Sequence, residues 1–134
     1  MNFIDKAFRD GLYGDDFLQA MAEIYSYDEV RNELDKYPRF VKDVILILDY
    51  DTALQMDGLE DVLYGSLSEQ FEEITEALKN AGADDEAELL KKAKALPESK
   101  LEEIYDGLAL NSDYEKFWNS VRDYIDRSLI KKGA

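Results

Sequence analysis

The 134-residue chain contains neither cysteine nor histidine. The first absence removes disulfides, thiolate nucleophiles and Cys-based zinc sites, and agrees with a reducing compartment. The second removes the usual general base near neutral pH, Ser-His catalysis and most transition-metal ligation. No phosphate-binding loop, glycine-rich dinucleotide motif or nucleophile elbow occurs either. Asp49-x-Asp51 opens like a calcium loop, but Leu54 stands at the sixth position, where the sharp turn of such a loop needs glycine. The N-terminus has no basic stretch followed by an apolar one, and no run approaches the roughly 18 apolar residues of a membrane span. These absences lead to the expectation of a cytoplasmic protein that is not an enzyme, uses no cofactor or metal, and does not engage membranes.

Positive charge is the other scarcity. Against 31 acids stand 16 bases, for a net charge of −15. Residues 1–42 contribute −3 and residues 79–134 contribute −2, whereas residues 43–78 hold ten acids and no base, and contribute −10. Such a field repels nucleic acid and anionic lipid and speeds encounter with basic proteins. With 46% hydrophobic residues and 12% aromatics the chain is too apolar for a disordered acidic tail. Its length suits one domain, residues 1–134, able to bury roughly two-thirds of its unfolded surface.

Apolar residues recur at helical spacing almost throughout. Phe17, Leu18, Met21, Ile24 and Tyr25 predict a helix over 16–25 capped by Asp15, and Ser26-x-x-Glu29 reads as a capping box opening a helix over 27–37. Pro38 separates this from the next segment. Val44 to Leu48 is rich enough in branched residues to be a strand, yet Phe40, Val41, Val44, Ile45 and Leu48 keep helical spacing and no second strand exists to pair with it. A buried helix over 40–56 is expected. In MDGLEDVLYG, residues 56–65, Asp57 reads as the cap of a short helix with Glu60 at its third position and Gly65 at its end. Further helices are expected from Ser66 or Ser68 to Asn80 with Gly82 as terminator, from Asp84 as cap to Leu96, over 98–109, and over 113–131 behind a Ser112-x-x-Glu115 box. The fold class read from this pattern is all-α, a single-domain bundle of seven to eight short helices.

The helix over 68–80 carries Glu69, Glu72, Glu73 and Glu76 along one face, opposite Phe71, Ile74 and Leu78. Like charges at i, i+3 and i+4 lie about 5–6 Å apart and repel by a few tenths of a kcal/mol per pair. No base interrupts the row before Lys79, and the helix dipole accounts for acids only in the first turn. One explanation is a row of carboxylates imitating the phosphates of DNA, spaced about 3.4 Å along a strand; the other is a solubilising face without a specific partner. Asp57 and Asp61, at i and i+4, are also spaced to share a magnesium ion, the basis of a metal-dependent enzyme as a further alternative.

Residues 56–66, the acidic amphipathic helix and EALKNAGADDEAELLKKA together resemble the bacterial DNA-mimic protein domain family, small acidic helical proteins formerly known as a domain of unknown function. Gly58 matches the second glycine of the family signature, Leu59 stands for its aromatic, Val62 and Leu63 for its aromatic pair and Ser66 for a following serine. Ala77, Leu78, Gly82, Ala83, Ala87, Leu90 and Ala93 match its second part. Met56, Asp57, Asp61 and Gly65 replace the signature's asparagine, first glycine, glutamine and terminal asparagine, so the apolar skeleton survives while the polar amides are gone. The resemblance covers roughly residues 16–130. It implies a helical protein whose acidic surface sequesters a basic, DNA-binding protein such as a transcription regulator, without itself contacting nucleic acid.

The acids expected to face that partner are Asp49, Asp51, Asp57, Glu60, Asp61, Glu69, Glu72, Glu73 and Glu76. An immunity- or antitoxin-type inhibitor of a cationic nuclease would use the same electrostatics and stands as the alternative. Association into a homodimer, which would lengthen the acidic face, is left open by the sequence.

Overall fold

The computed structural model describes residues 1–133, and the side chains of residues 1–130. The chain is 83% helical and the described residues contain no strand, so the structure is an all-α single domain. In chain order the α-helices are α1 (Phe3–Arg9), α2 (Gly14–Met21), α3 (Arg39–Asp57), α4 (Leu59–Tyr64), α5 (Phe71–Asn80), α6 (Asp84–Lys94), α7 (Leu101–Gly107), α8 (Ala109–Ser112) and α9 (Tyr114–Gly133). Tighter 3₁₀ turns occupy Ala22–Tyr25, Asp28–Lys36, Ser68–Gln70 and Glu98–Lys100.

The axis of the domain is α3, which packs against α2, α4, α5 and α9. Phe40, Val41, Val44, Ile45, Leu46, Ile47, Tyr50, Ala53 and Leu54 are all buried, so the helix is apolar over most of its circumference, as expected of one surrounded by others. This resolves the ambiguity of Val44–Leu48 in favour of helix. Branched residues cost a few tenths of a kcal/mol each in a helix, whereas burying each of these side chains returns about 1.5–3 kcal/mol.

The predicted caps fare less well than the predicted helices. Asp15 and Asp84 lie inside the first turns of α2 and α6, where they complement the helix dipole, while the cap positions belong to Tyr13 and Ala83 and make no side-chain cap bond. The Ser26-x-x-Glu29 segment winds as a 3₁₀ helix burying only Val30 and Leu34, with Tyr27 at its start. The Ser112 hydroxyl donates back to the Leu108 carbonyl at 3.0 Å. Asp57 is the last residue of α3 rather than the cap of α4; Gly58 takes that place at φ 85°, a left-handed conformation that a side chain would strain. A capping box does open α1, which the sequence reading did not anticipate: the Asn2 side chain accepts from the Ile4 and Asp5 amides, and Asp5 accepts from the Asn2 amide.

Two buried acids tie the helices together. Asp43, fully buried on α3, accepts from Arg39 Nε at 2.8 Å, from Asn80 Nδ2 of α5 at 3.0 Å and from the Tyr124 hydroxyl of α9. Glu86 on α6 accepts from the Tyr50 hydroxyl of α3 at 2.9 Å and from the Ala109 and Leu110 amides at 2.6 and 3.3 Å. It therefore caps the N-terminus of α8 from a different helix. Burial pushes the Glu86 carboxyl and the Tyr50 hydroxyl above their ordinary values, and the backbone bonds to Glu86 partly oppose this.

Candidate acidic interface

The acids of residues 43–78 divide into three environments. In the first they are paired. Asp49 accepts two bonds from the Arg31 guanidinium, at 2.7 and 3.0 Å, and one from the Tyr25 hydroxyl at 2.8 Å, leaving its side chain 11% exposed. Glu73 pairs with Lys42 at 2.8 Å and Glu76 lies 3.7 Å from Arg39. Relief for the glutamate row, absent along α5 itself, thus comes from two bases on α3. Desolvation is outweighed at these cations: the carboxylates beside Arg31, Arg39 and Lys42 hold all three above their ordinary pKa values.

In the second environment they are bare. Asp57, Glu60, Glu69 and Glu72 are exposed and, among the described residues, make no hydrogen bond or ion pair through their side chains. Asp57, Glu60, Asp61, Tyr64 and Glu98 line one open hollow at the end of α4, so Glu98 joins the cluster from beyond the acidic run. Asp61 is partly engaged: its carboxylate folds back over Gly65 to accept from the Ser66 amide at 3.1 Å and the Ser66 hydroxyl at 3.2 Å. A Cβ on Gly65 would sit 2.8 Å from the Asp61 Cα, which explains why glycine stands there at an ordinary negative φ. Because Gly58 separates the two helices, Asp57 and Asp61 are not one turn apart on a common helix. Among the described residues no group of three or more acids converges as a metal site.

The third environment belongs to Asp51. This acid points away from the others into a cleft of about 550 Å³ between α2, α3 and α9, lined also by Asp15, Leu48, Tyr114, Trp118 and Arg122. Its Oδ2 accepts from the Tyr114 hydroxyl at 3.0 Å, whereas the buried Oδ1 has no partner. Burial raises the Asp51 carboxyl, against the opposing influence of Tyr114 and of nearby Gln55, which completes no bond to Oδ1. Among the described residues the Trp118 indole N–H is the other buried polar side-chain atom without a partner, close to Tyr114 but not bonded to it. Sequence reading did not single out the cleft residues from α2 and α9. The available signal was that Tyr114 and Trp118, four residues apart, share one helix face.

A family model described as DMP19-like protein matches residues 35–129, which include all nine expected acids and most of the cleft. No curated protein and no solved structure is similar enough to count as a relative. No helix among the described residues is long and apolar enough to cross a membrane.

Proposed function

We propose, from the premise that this chain belongs to the DMP19-like protein family, that it is a non-enzymatic binding protein whose bare acidic shoulder engages a basic, DNA-binding protein in place of DNA. The observation that carries this reading is the set Asp57, Glu60, Glu69 and Glu72, exposed and without ion pairs while neighbouring acids are neutralised by bases of α3. Carboxylates without an ion-pair partner among the described residues repel one another in the free protein and are relieved when a cationic surface docks, Glu72 less than the rest because Lys91 lies within its electrostatic reach. The resemblance to DNA-mimic proteins read in the sequence supports the same partner class, with the apolar residues Leu59, Val62 and Leu63 of the altered signature serving to bury α4.

The test is capture from a cell lysate on immobilised protein, followed by competition. A basic DNA-binding protein should be retained at low salt, be lost as salt is raised, and be displaced by duplex DNA. Retention of no basic protein, retention indifferent to salt, or a captured protein that duplex DNA does not displace would each defeat the reading.

A further inference from the structure

The cleft between α2, α3 and α9 holds the two buried polar side-chain atoms that, among the described residues, lack partners, Asp51 Oδ1 and Trp118 Nε1. Trp118 is only 7% exposed, and both residues line the same cavity, whose volume of about 550 Å³ falls within the range of small-ligand sites. The ionisable groups facing it are Asp15, Asp51, Glu115 and Arg122. Arg122 is committed within the cleft to Asp15 at 3.2 Å and also holds Asn119 at 2.9 Å. Among the described residues Asp51 and Glu115 have no ion pair, and Asp51 is the partly buried one.

We propose that this cleft binds a guanidinium group, presented as an arginine side chain by the basic partner. A carboxylate with one satisfied oxygen and one free oxygen accepts a guanidinium N–H on the free side, in the charge-assisted geometry that arginine favours. Beside it the Trp118 and Tyr114 rings, with centroids 6.2 Å apart and nearly perpendicular, supply aromatic surface for a planar cation. Leu18 and Leu48 complete the apolar walls for the arginine stem. With the guanidinium on Oδ1, the Tyr114 hydroxyl keeps its bond to Oδ2. Identifying the owner of the arginine as a DNA-binding partner rests on the function proposed above; the preference of the cleft for guanidinium does not.

Because Trp118 is the sole tryptophan, its fluorescence and its single indole N–H resonance both report occupancy. The isolated protein is titrated with argininamide at constant ionic strength, with citrullinamide as the uncharged analogue. Argininamide should give a saturable fluorescence change and shift the indole resonance together with the Asp51 amide. Citrullinamide should bind at least about tenfold more weakly, and so should argininamide to Asp51→Asn, since a charge-assisted bond is lost in each case. Glu103→Gln, an exposed acid of α7 outside both the cleft and the acidic shoulder, should bind argininamide as the unmodified chain does. A non-saturable response, equal binding of citrullinamide, unchanged binding by Asp51→Asn, or resonance shifts centred on the acidic shoulder would each overturn the assignment. Failure of lysate capture with a positive titration would defeat the partner while leaving the site, so the two outcomes are separable.

Discussion

Two groups of acids within the acidic run differ in what surrounds them rather than in what they are made of. Glu73 and Glu76, in the first and second turns of α5, face Lys42 and Arg39 on α3. Among the described residues no base pairs with Glu69 or Glu72, one turn earlier, or with Asp57 or Glu60, although Lys91 lies within electrostatic reach of Glu72. The same residue type, four positions apart on one surface, is structural in one group and available in the other. The lesson is that a charge run in a sequence measures field strength, while the crossing partners of each helix decide which charges remain to be read by another molecule.

The sharpest way to break this comparison is among the paired acids. Asp43→Ala would leave Asn80, Tyr124 and Arg39 without their shared acceptor, and we expect a loss of about 3 kcal/mol, near 10 °C in thermal unfolding. A loss under about 1 kcal/mol would show that the helices here are not held by their acids.

The bare group should respond in the opposite sense, through binding and not through stability. Replacing Glu60, Glu69 and Glu72 by glutamine should weaken capture of the basic partner by about 2 kcal/mol, roughly thirtyfold at low salt, and leave the melting temperature unchanged or raised. Replacing Glu73 and Glu76 should change capture by less than about threefold, because those charges are already compensated. Equal effects from the two sets, read by calorimetry at two salt concentrations, would erase the distinction.

The smallest effect is expected at Asp51, whose partly buried carboxyl is raised by desolvation. A folded-state value above the unfolded one means that the folded chain holds the proton more tightly. The ionised form therefore costs stability at neutral pH, and the cost fades as pH falls through the raised value toward the unfolded one. Asp51→Asn should raise stability at pH 7 by roughly 0.5 kcal/mol, about 2 °C, and the gain should shrink on acidification toward the ordinary carboxylate range. Differential scanning across that range checks both sign and window; a variant less stable at pH 7 would argue that Asp51 already has its partner in the free protein.

Much of the fold was legible because its signals are local. Pro38 ahead of α3, Gly82 after α5 and the apolar spacing of α5, α6 and α9 act on their own neighbours, and the helices formed where those signals stand. The caps were less legible, since Asp15, Asp57 and Asp84 have the right chemistry one or two residues away from the cap positions Tyr13, Gly58 and Ala83. Asp28–Lys36 was legible as helical, with Val30 and Leu34 buried four residues apart, but its 3₁₀ winding was not.

The candidate site was legible in sign and only partly in detail. Composition alone located the negative charge in residues 43–78, and helical spacing placed the glutamate row on the face of α5 opposite its apolar residues. The division of that charge was decided by tertiary structure. Whether Asp43 is a core residue, Asp49 an ion-pair partner, Asp51 a cleft acid or Glu69 a bare one depends on Asn80, Arg31, Tyr114 and the absence of a facing base, all supplied by other elements. Helix formation and net charge are read within a few residues or summed over many, so the sequence determines them by itself. Pairing and burial depend on contacts between residues as far apart as Asp43 and Tyr124, which only the packed chain brings together.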